Sequence, residues 1–318
     1  MTQRDSDVDG DLDSTSHDVS HDASDDVSDD VSDDGPEDGS REAFDDSRVH
    51  EEEQYAKKEL GLLLYRLRNL PAKSRARMQG SFTQRLFDAT LAVQTPRGPI
   101  SFGLLGKSPG GRAMDILTKQ PGTIEWIDGF EPNGVFWDVG ANIGVFTLYA
   151  ALRGDTRIVA FEPAAVNYFL LSANVEANRF DGLVDCLLVG LGKQRGIGHL
   201  EVSQFNPGQS FSFRGKQEKP YPGRQAALLV SMDQLVEEFG APCPNYIKID
   251  VPGLTEAIVE GGVRMLQRKE VREVHIECSE TGTAGRRVVE MFLRAGFVVV
   301  ARHTHGSTGN LTFARPGQ

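Results

Sequence analysis

Cysteine is scarce in this chain. Cys186, Cys243 and Cys278 are its three thiols, spread through 318 residues. Three are too few to staple a domain of that size, and their spacing matches no zinc motif. Reduced core cysteines in a cytoplasmic protein are therefore expected. Long apolar runs are also missing, since no stretch approaches the ~18 residues that a membrane helix needs. No basic segment followed by an apolar one opens the chain, so no secretory signal is expected. Basic clusters are absent as well. The net charge of −12 belongs to the N-terminus: residues 1–50 hold 18 acidic side chains and 3 arginines, and the other 268 hold 28 acidic and 31 basic ones. A body so close to neutral lacks nucleic-acid-binding density, and neither DNA nor RNA is expected as a partner. The two tryptophans, Trp126 and Trp137, read as core residues.

What the chain does have begins with a repeat. Residues 16–35 run SHDV, SHDA, SDDV, SDDV, SDDG. One small apolar residue in four cannot build a core, and the crowded carboxylates repel, so residues 1–50 are expected to be a disordered tail. His17 and His21 lie in it without anything to fix a metal geometry. A helical segment is expected over 51–80, where Tyr55, Leu60, Leu63, Leu64 and Leu67 share a stripe and Pro71 ends the run. An α/β domain is expected over 81–318. It starts with a hairpin turning at Thr95-Pro96-Arg97-Gly98, then two helix-prone runs, GGRAMDILTK and TIEWIDGF. Strands are expected at 135–139, 157–162, 184–191, 245–250 and 272–277, with helices near 142–152, 164–178, 231–239, 254–267 and 284–295. A longer insert after the third of these strands contains GHLEVS, SFSF and ALLVS, extra strands or loops. FVVVARH and NLTFAR form a closing antiparallel pair. This alternation predicts a Rossmann-like, mostly parallel sheet covered by helices on both faces, with ligands beyond the carboxyl ends of the strands.

The densest signal is Asp138-Val139-Gly140-Ala141-Asn142-Ile143-Gly144, between a strand and a helix. Gly140 and Gly144 let backbone pass close to a ligand, and Asn142 tolerates a left-handed conformation. Glu162, followed by Pro163, ends the second strand 22 residues after Gly140, where a carboxylate can accept hydrogen bonds from a ribose diol. The loop lacks the second glycine of a dinucleotide site, and the Asp138 carboxylate at its mouth would repel a pyrophosphate. It suits a ligand that carries an ammonium and a sulfonium but no phosphate, which describes S-adenosylmethionine.

The blocks FWDVGANIGVFTLYAA, VAFEPAAVNYFLLSANVEAN and YIKIDVPG together resemble the FkbM-type methyltransferases over about residues 87–315. The resemblance implies a class I methyltransferase fold and methyl transfer to hydroxyls of polyketide macrolides or sugars. It also implies that the 138–144 loop, Ala141 included, and Glu162 hold the methionine part and ribose of the cofactor. Leu191 to Lys193 would lie by the adenine. The chain departs from the family in three places. Lys193 stands where the A-L-G-D block has an acid, and Pro252 and Thr255 replace the two glutamates of K-I-D-V-E-G-x-E.

Transfer to a hydroxyl needs alignment and exclusion of water, and a base helps by ~10²–10⁴-fold. Lys248 and Asp250 alternate on one strand and so share a face. Asp250 is the candidate base or orienting group, held ionised by Lys248, or the two form a structural pair. Glu277 ends the next strand as a second acid or as a helix cap. His275 reads as a hydrogen-bonded core histidine. Asp250 and Glu277 alone make an incomplete ligand set, so no metal is assigned. A small-molecule or glycan hydroxyl is the expected acceptor. A catalytically silent nucleoside-binding or interaction module, kept open by Pro252 and Thr255, and an NAD(P)-linked oxidoreductase are the alternatives.

Overall fold

The structure, a computed structural model, describes residues 46–106, 109–115, 120–202, 207–209, 212–213, 223–278, 282–305 and 308–317. The acidic repeat lies outside the described residues. The chain divides into two compact units, Met1–Leu64 and Tyr65–Gln318. Helix α1 (Asp46–Arg68) carries the expected stripe; Tyr55, Leu60 and Leu64 are exposed, Leu63 is half-buried and Leu67 is buried. Pro71 ends that helix and also stands as the N-cap of a second, α2 (Ala72–Phe87), which buries none of its residues. With no apolar stripe, α2 left nothing for periodicity to read.

The hairpin β1 (Thr90–Thr95) and β2 (Gly98–Gly103) forms as expected, with Gly98 at φ +127° in its turn. Short helices α3 (Pro109–Met114) and α4 (Pro121–Asp128) follow. The central elements are β3 (Val135–Val139), α5 (Val145–Ala151), β4 (Arg157–Phe161), α6 (Ala165–Ala177) and β5 (Val184–Leu187). Next come β6 (Gly190–Leu191), β7 (Gly196–Val202), β8 (Ser212–Phe213), β9 (Gly223–Val230) and α7 (Met232–Glu237). The chain closes with β10 (Tyr246–Ile249), α8 (Thr255–Glu260), a 3₁₀ turn (Met265–Gln267), β11 (Glu273–Cys278), α9 (Thr283–Arg294), β12 (Val298–His305) and β13 (Thr308–Ala314).

The main sheet has the order β12-β13-β11-β10-β3-β4-β5. Pairs from β11 through β5 are parallel, and β13 runs antiparallel between β11 and β12. A parallel Rossmann-like sheet with this closing hairpin is the class I methyltransferase arrangement. The chain fills one side of β3 with β4 and β5, then crosses to put β10 on the other. That reversal opens a crevice at the carboxyl ends of β3 and β10.

Alternation along the strands sorts the core into two layers. Phe136 and Ile158 face α4, α5, α6 and the hairpin, packing with Ile127, Leu148, Leu171 and Phe102. Trp137, Val159 and Ile247 face α7, α8 and α9, packing with Leu235, Ile258 and Phe292. Trp137 thus lies on the face opposite Asp138, in the core as expected. Helix α7 starts at a capping box, in which Ser231 accepts from the Gln234 backbone and Gln234 from that of Ser231.

Two expected elements are shorter than their apolar patterns. The run 184–191 breaks after Leu187, and β6 joins a second sheet, β6-β9-β7-β8, that gathers the insert. Apolar continuity does not report which partner a strand takes. The helix expected to 267 stops at Gly261, where a Cβ would lie 2.1 Å from the Gly192 carbonyl oxygen. Among the described residues, no helix is long and apolar enough to cross a membrane.

Candidate active site

The bend after β3 is built from left-handed residues: Gly140 (φ 86°), Asn142 (φ 54°) and Gly144 (φ 91°). The Gly140 and Ala141 N–H groups both donate to the Phe161 carbonyl at 3.0 Å, tying the bend to the end of β4. A side chain at Gly140 would put Cβ 2.4 Å from the Asp250 carbonyl oxygen; one at Gly144 would put it 2.7 Å from Leu171 Cδ1. Gly140 is therefore required by the backbone just beyond β10, and Gly144 by its left-handed φ.

Glu162 leaves β4 beside this bend. Its buried carboxylate accepts from the Asn142 N–H at 2.9 Å and the Ala164 N–H at 2.8 Å. Burial pushes its pKa up to about 7, against the pull of those backbone hydrogen bonds. Asp138 lies on the same side of the sheet but deeper. It is 1% exposed, accepts from Thr147 Oγ1 at 2.6 Å, and its other oxygen has no hydrogen-bond partner. Burial raises its pKa, opposed by the Lys248 ammonium. The expected place of Asp138 at the loop mouth is thus corrected: it stands behind the loop, because its strand position faces α5.

A cleft runs along the carboxyl ends of the strands. Asp250, Val251 and Pro252 wall it beyond β10, Val139, Gly140 and Asn142 at β3, and Phe161, Glu162 and Pro163 at β4. Val189, Gly190 and Leu191 form its far end. Five of the expected cofactor residues, Gly140, Asn142, Glu162, Pro163 and Leu191, therefore share one cavity. Asp138, Ala141 and Gly144 are not on its wall, and Lys193 instead pairs with Glu260 at 3.2 Å.

Two polar lining residues were not foreseen. Asn167, buried in the first turns of α6, accepts from the Gly208 N–H at 2.8 Å and donates to the Gln209 carbonyl at 3.0 Å. Arg112, from α3, donates through Nε to the Gly208 carbonyl. Asn142 Nδ2 reaches the Gln209 carbonyl as well, at 3.0 Å, while Asn142 Oδ1 is buried without a partner. Asn167 lies five residues after Glu162 within the quoted second block; Arg112 belongs to no motif.

Beyond β10 the cleft adjoins a second cavity of about 340 Å³, lined by Asp250, Pro252, Thr255, Glu256, Glu277 and the start of α9 among others. Lys248, 2% exposed, donates to Asp250 at 3.0 Å, with its ammonium 4.7 Å from the Phe146 ring centroid. Burial alone would raise the Asp250 pKa. The Lys248 ammonium, a hydrogen bond with Glu277 and the Arg112 charge outweigh it and hold the carboxyl below its usual range. The structure thus brings Lys248, Asp250 and Glu277 together, with Lys248 behind the cavity walls. His275 stacks on Trp126 and is hydrogen-bonded to Thr123 and Thr312 at 3.0 and 2.9 Å; burial lowers its pKa to about 3. It is a neutral core histidine.

These walls fit a nucleoside with an amino-acid tail. Carboxylates stand at Glu162 and Asp250, an unsatisfied buried acceptor at Asn142 Oδ1, and apolar Val189 and Leu191 offer a surface to a flat base. The profile of the family described as Methyltransferase FkbM domain matches residues 138–299, just over half the chain. The chain is similar to the hexuronic acid methyltransferase AglP of Haloferax volcanii, at 31% identity over 156 residues, 49% of this chain and 61% of that protein. It thus spans less than two thirds of that relative's length. It is also similar to the 31-O-demethyl-FK506 methyltransferase FkbM of Streptomyces tacrolimicus, at 28% identity over 197 residues, 54% of this chain and 75% of that protein. A crystal structure of Methyltransferase FkbM from Methylobacillus flagellatus KT aligns with a TM-score of 0.40 and 15% identity, covering 58% of this chain and 44% of that one.

Proposed function

The chain belongs to the FkbM methyltransferase family, and from that premise we propose that it methylates a hydroxyl group of a glycan or polyketide-like small molecule. The observation that carries this reading is the shared wall: Asp250, Val251 and Pro252 line both the cleft at the strand ends and the adjoining cavity. A donor in one and an acceptor in the other would meet at Asp250. S-adenosylmethionine supplies an electrophilic methyl group when bound.

The chain's own residues do the rest. Glu162, once ionised, accepts hydrogen bonds from a ribose diol, because a carboxylate oxygen already bonded to one N–H keeps a second lone pair. Val189 and Leu191 cover the base. Asp250 is ionised at neutral pH but is a weak base, so its main task is to orient the acceptor hydroxyl and receive its proton late in the transfer. Lys248 fixes the Asp250 rotamer, and Glu277 braces the carboxylate from the acceptor side. Val251 and Pro252 keep water from the junction.

The test is calorimetry with S-adenosylhomocysteine and NAD, followed by turnover assays on sugar and macrolide hydroxyls. Binding of the first ligand alone and methylation of a hydroxyl are expected. Preference for NAD would overturn the reading. Binding with no turnover on any hydroxylated acceptor would favour the silent module that Pro252 and Thr255, in place of two glutamates, also suit.

A further inference from the structure

We propose that Arg112 binds the carboxylate of the cofactor's amino-acid tail, a role that rests on the nucleoside reading above. Strand order sets the direction of the ligand. With a ribose at Glu162, at the end of β4, and a base at Val189 and Leu191 beyond β5, the tail must extend the other way, past β3 toward β10. Arg112 shares the cleft wall with Asp250 and lies beside the bend after β3, where its Nε donates to the Gly208 carbonyl, next to the Gln209 carbonyl that Asn142 holds. Among the described residues lining the cleft, it is the one basic side chain. Lys248 is buried behind the wall and committed to Asp250 at 3.0 Å. A ligand with a single carboxylate therefore meets a single lining cation.

The local hydrogen bonds agree. Arg112 Nε donates to the Gly208 carbonyl, and Asn142 Nδ2 donates to the next carbonyl, that of Gln209. The guanidinium is thus aimed at oxygen acceptors beside the bend, and its planar fork of five donors suits a carboxylate in addition to a peptide oxygen. Asn142 Oδ1, buried and unpartnered, offers an acceptor to the neighbouring ammonium. One basic group and one neutral acceptor, linked through successive peptide groups, would read the two charges of an α-amino acid.

The experiment compares two ligands in three proteins. Calorimetry measures S-adenosylhomocysteine and its decarboxylated analogue binding to wild type, Arg112→Met and Arg112→Lys. Arg112→Met should lose at least tenfold in affinity for S-adenosylhomocysteine while holding the decarboxylated analogue within twofold. Arg112→Lys, which keeps the charge, should recover part of the loss. Thermal melting checks that both variants are folded. Equal losses for the two ligands, or no loss for either, would overturn the assignment. In the latter case, a shifted pH profile of turnover would mark Arg112 as a counter-ion of Asp250 alone. A wild-type protein that binds neither ligand would fail at the nucleoside reading itself, a separate result.

Discussion

The two ends of the crevice are held by different forces. At the β3–β4 end the backbone does the work: Phe161 takes two N–H bonds from the bend, and Glu162 accepts two more from Asn142 and Ala164. At the β10–β11 end side-chain charge does it, with Lys248 and Glu277 hydrogen-bonded to Asp250 and the Arg112 charge acting on it. An end fixed by peptide groups presents one shape to one ligand. An end fixed by side chains can change its lining without disturbing the sheet. A constant donor site beside an adaptable acceptor site is what a group-transfer enzyme with varied substrates needs.

That contrast can be broken by crossing the measurements. Asp250→Asn, at the charged end, should lower turnover by about a hundredfold while S-adenosylhomocysteine affinity stays within twofold of wild type. A loss of affinity instead would mean that the ends are not separate. Gly140→Ala forces a left-handed alanine against the Asp250 carbonyl and should cost about 2 kcal/mol in denaturant unfolding, more if the bend cannot shift. An unchanged midpoint would show that the bend yields. Glu162→Ala should weaken S-adenosylhomocysteine by more than tenfold, and calorimetry showing wild-type affinity would remove the ribose assignment.

The smallest effect expected is on pH. Glu162 titrates near 7 in the folded protein, so its ionised form grows between pH 6 and 8 and affinity should rise severalfold across that range. In Glu162→Gln the slope should vanish. Stability moves the opposite way. A carboxyl whose folded pKa lies above its unfolded value stabilises the fold below the unfolded value of 4.5, and that contribution is lost as pH rises through 7. A wild-type affinity that is flat in pH would show that Glu162 is already ionised at pH 6.

The same contrast explains what the sequence revealed. The β3–β4 end is compact in sequence, because a bend with left-handed residues and an acid one strand later leave marks on consecutive letters. Gly140, Asn142 and Glu162 could be read from that pattern, as could the parallel strands and the closing hairpin. Arg112 could not, for it reaches the cleft from a short helix before β3 and obeys no spacing. Asp138 was legible as a residue but misplaced in depth, since the alternation that puts it behind the loop is a property of the packed sheet. The charged end was half legible. The two-residue spacing of Lys248 and Asp250 gave their common face, whereas the Glu277 contact depends on which strand lies beside β10.

The space that Gly140 lacks is filled by the Asp250 carbonyl, so the bend after β3 and the chain just beyond β10 share one point of contact. Neither can be moved alone. Efforts to retune this protein for a new acceptor would do well to vary the cavity wall at Thr255 and Glu256, and leave the main chain around Asp250 untouched. A change that displaces that carbonyl would register first as slackened grip on the methyl donor, on the far side of the crevice from the mutation.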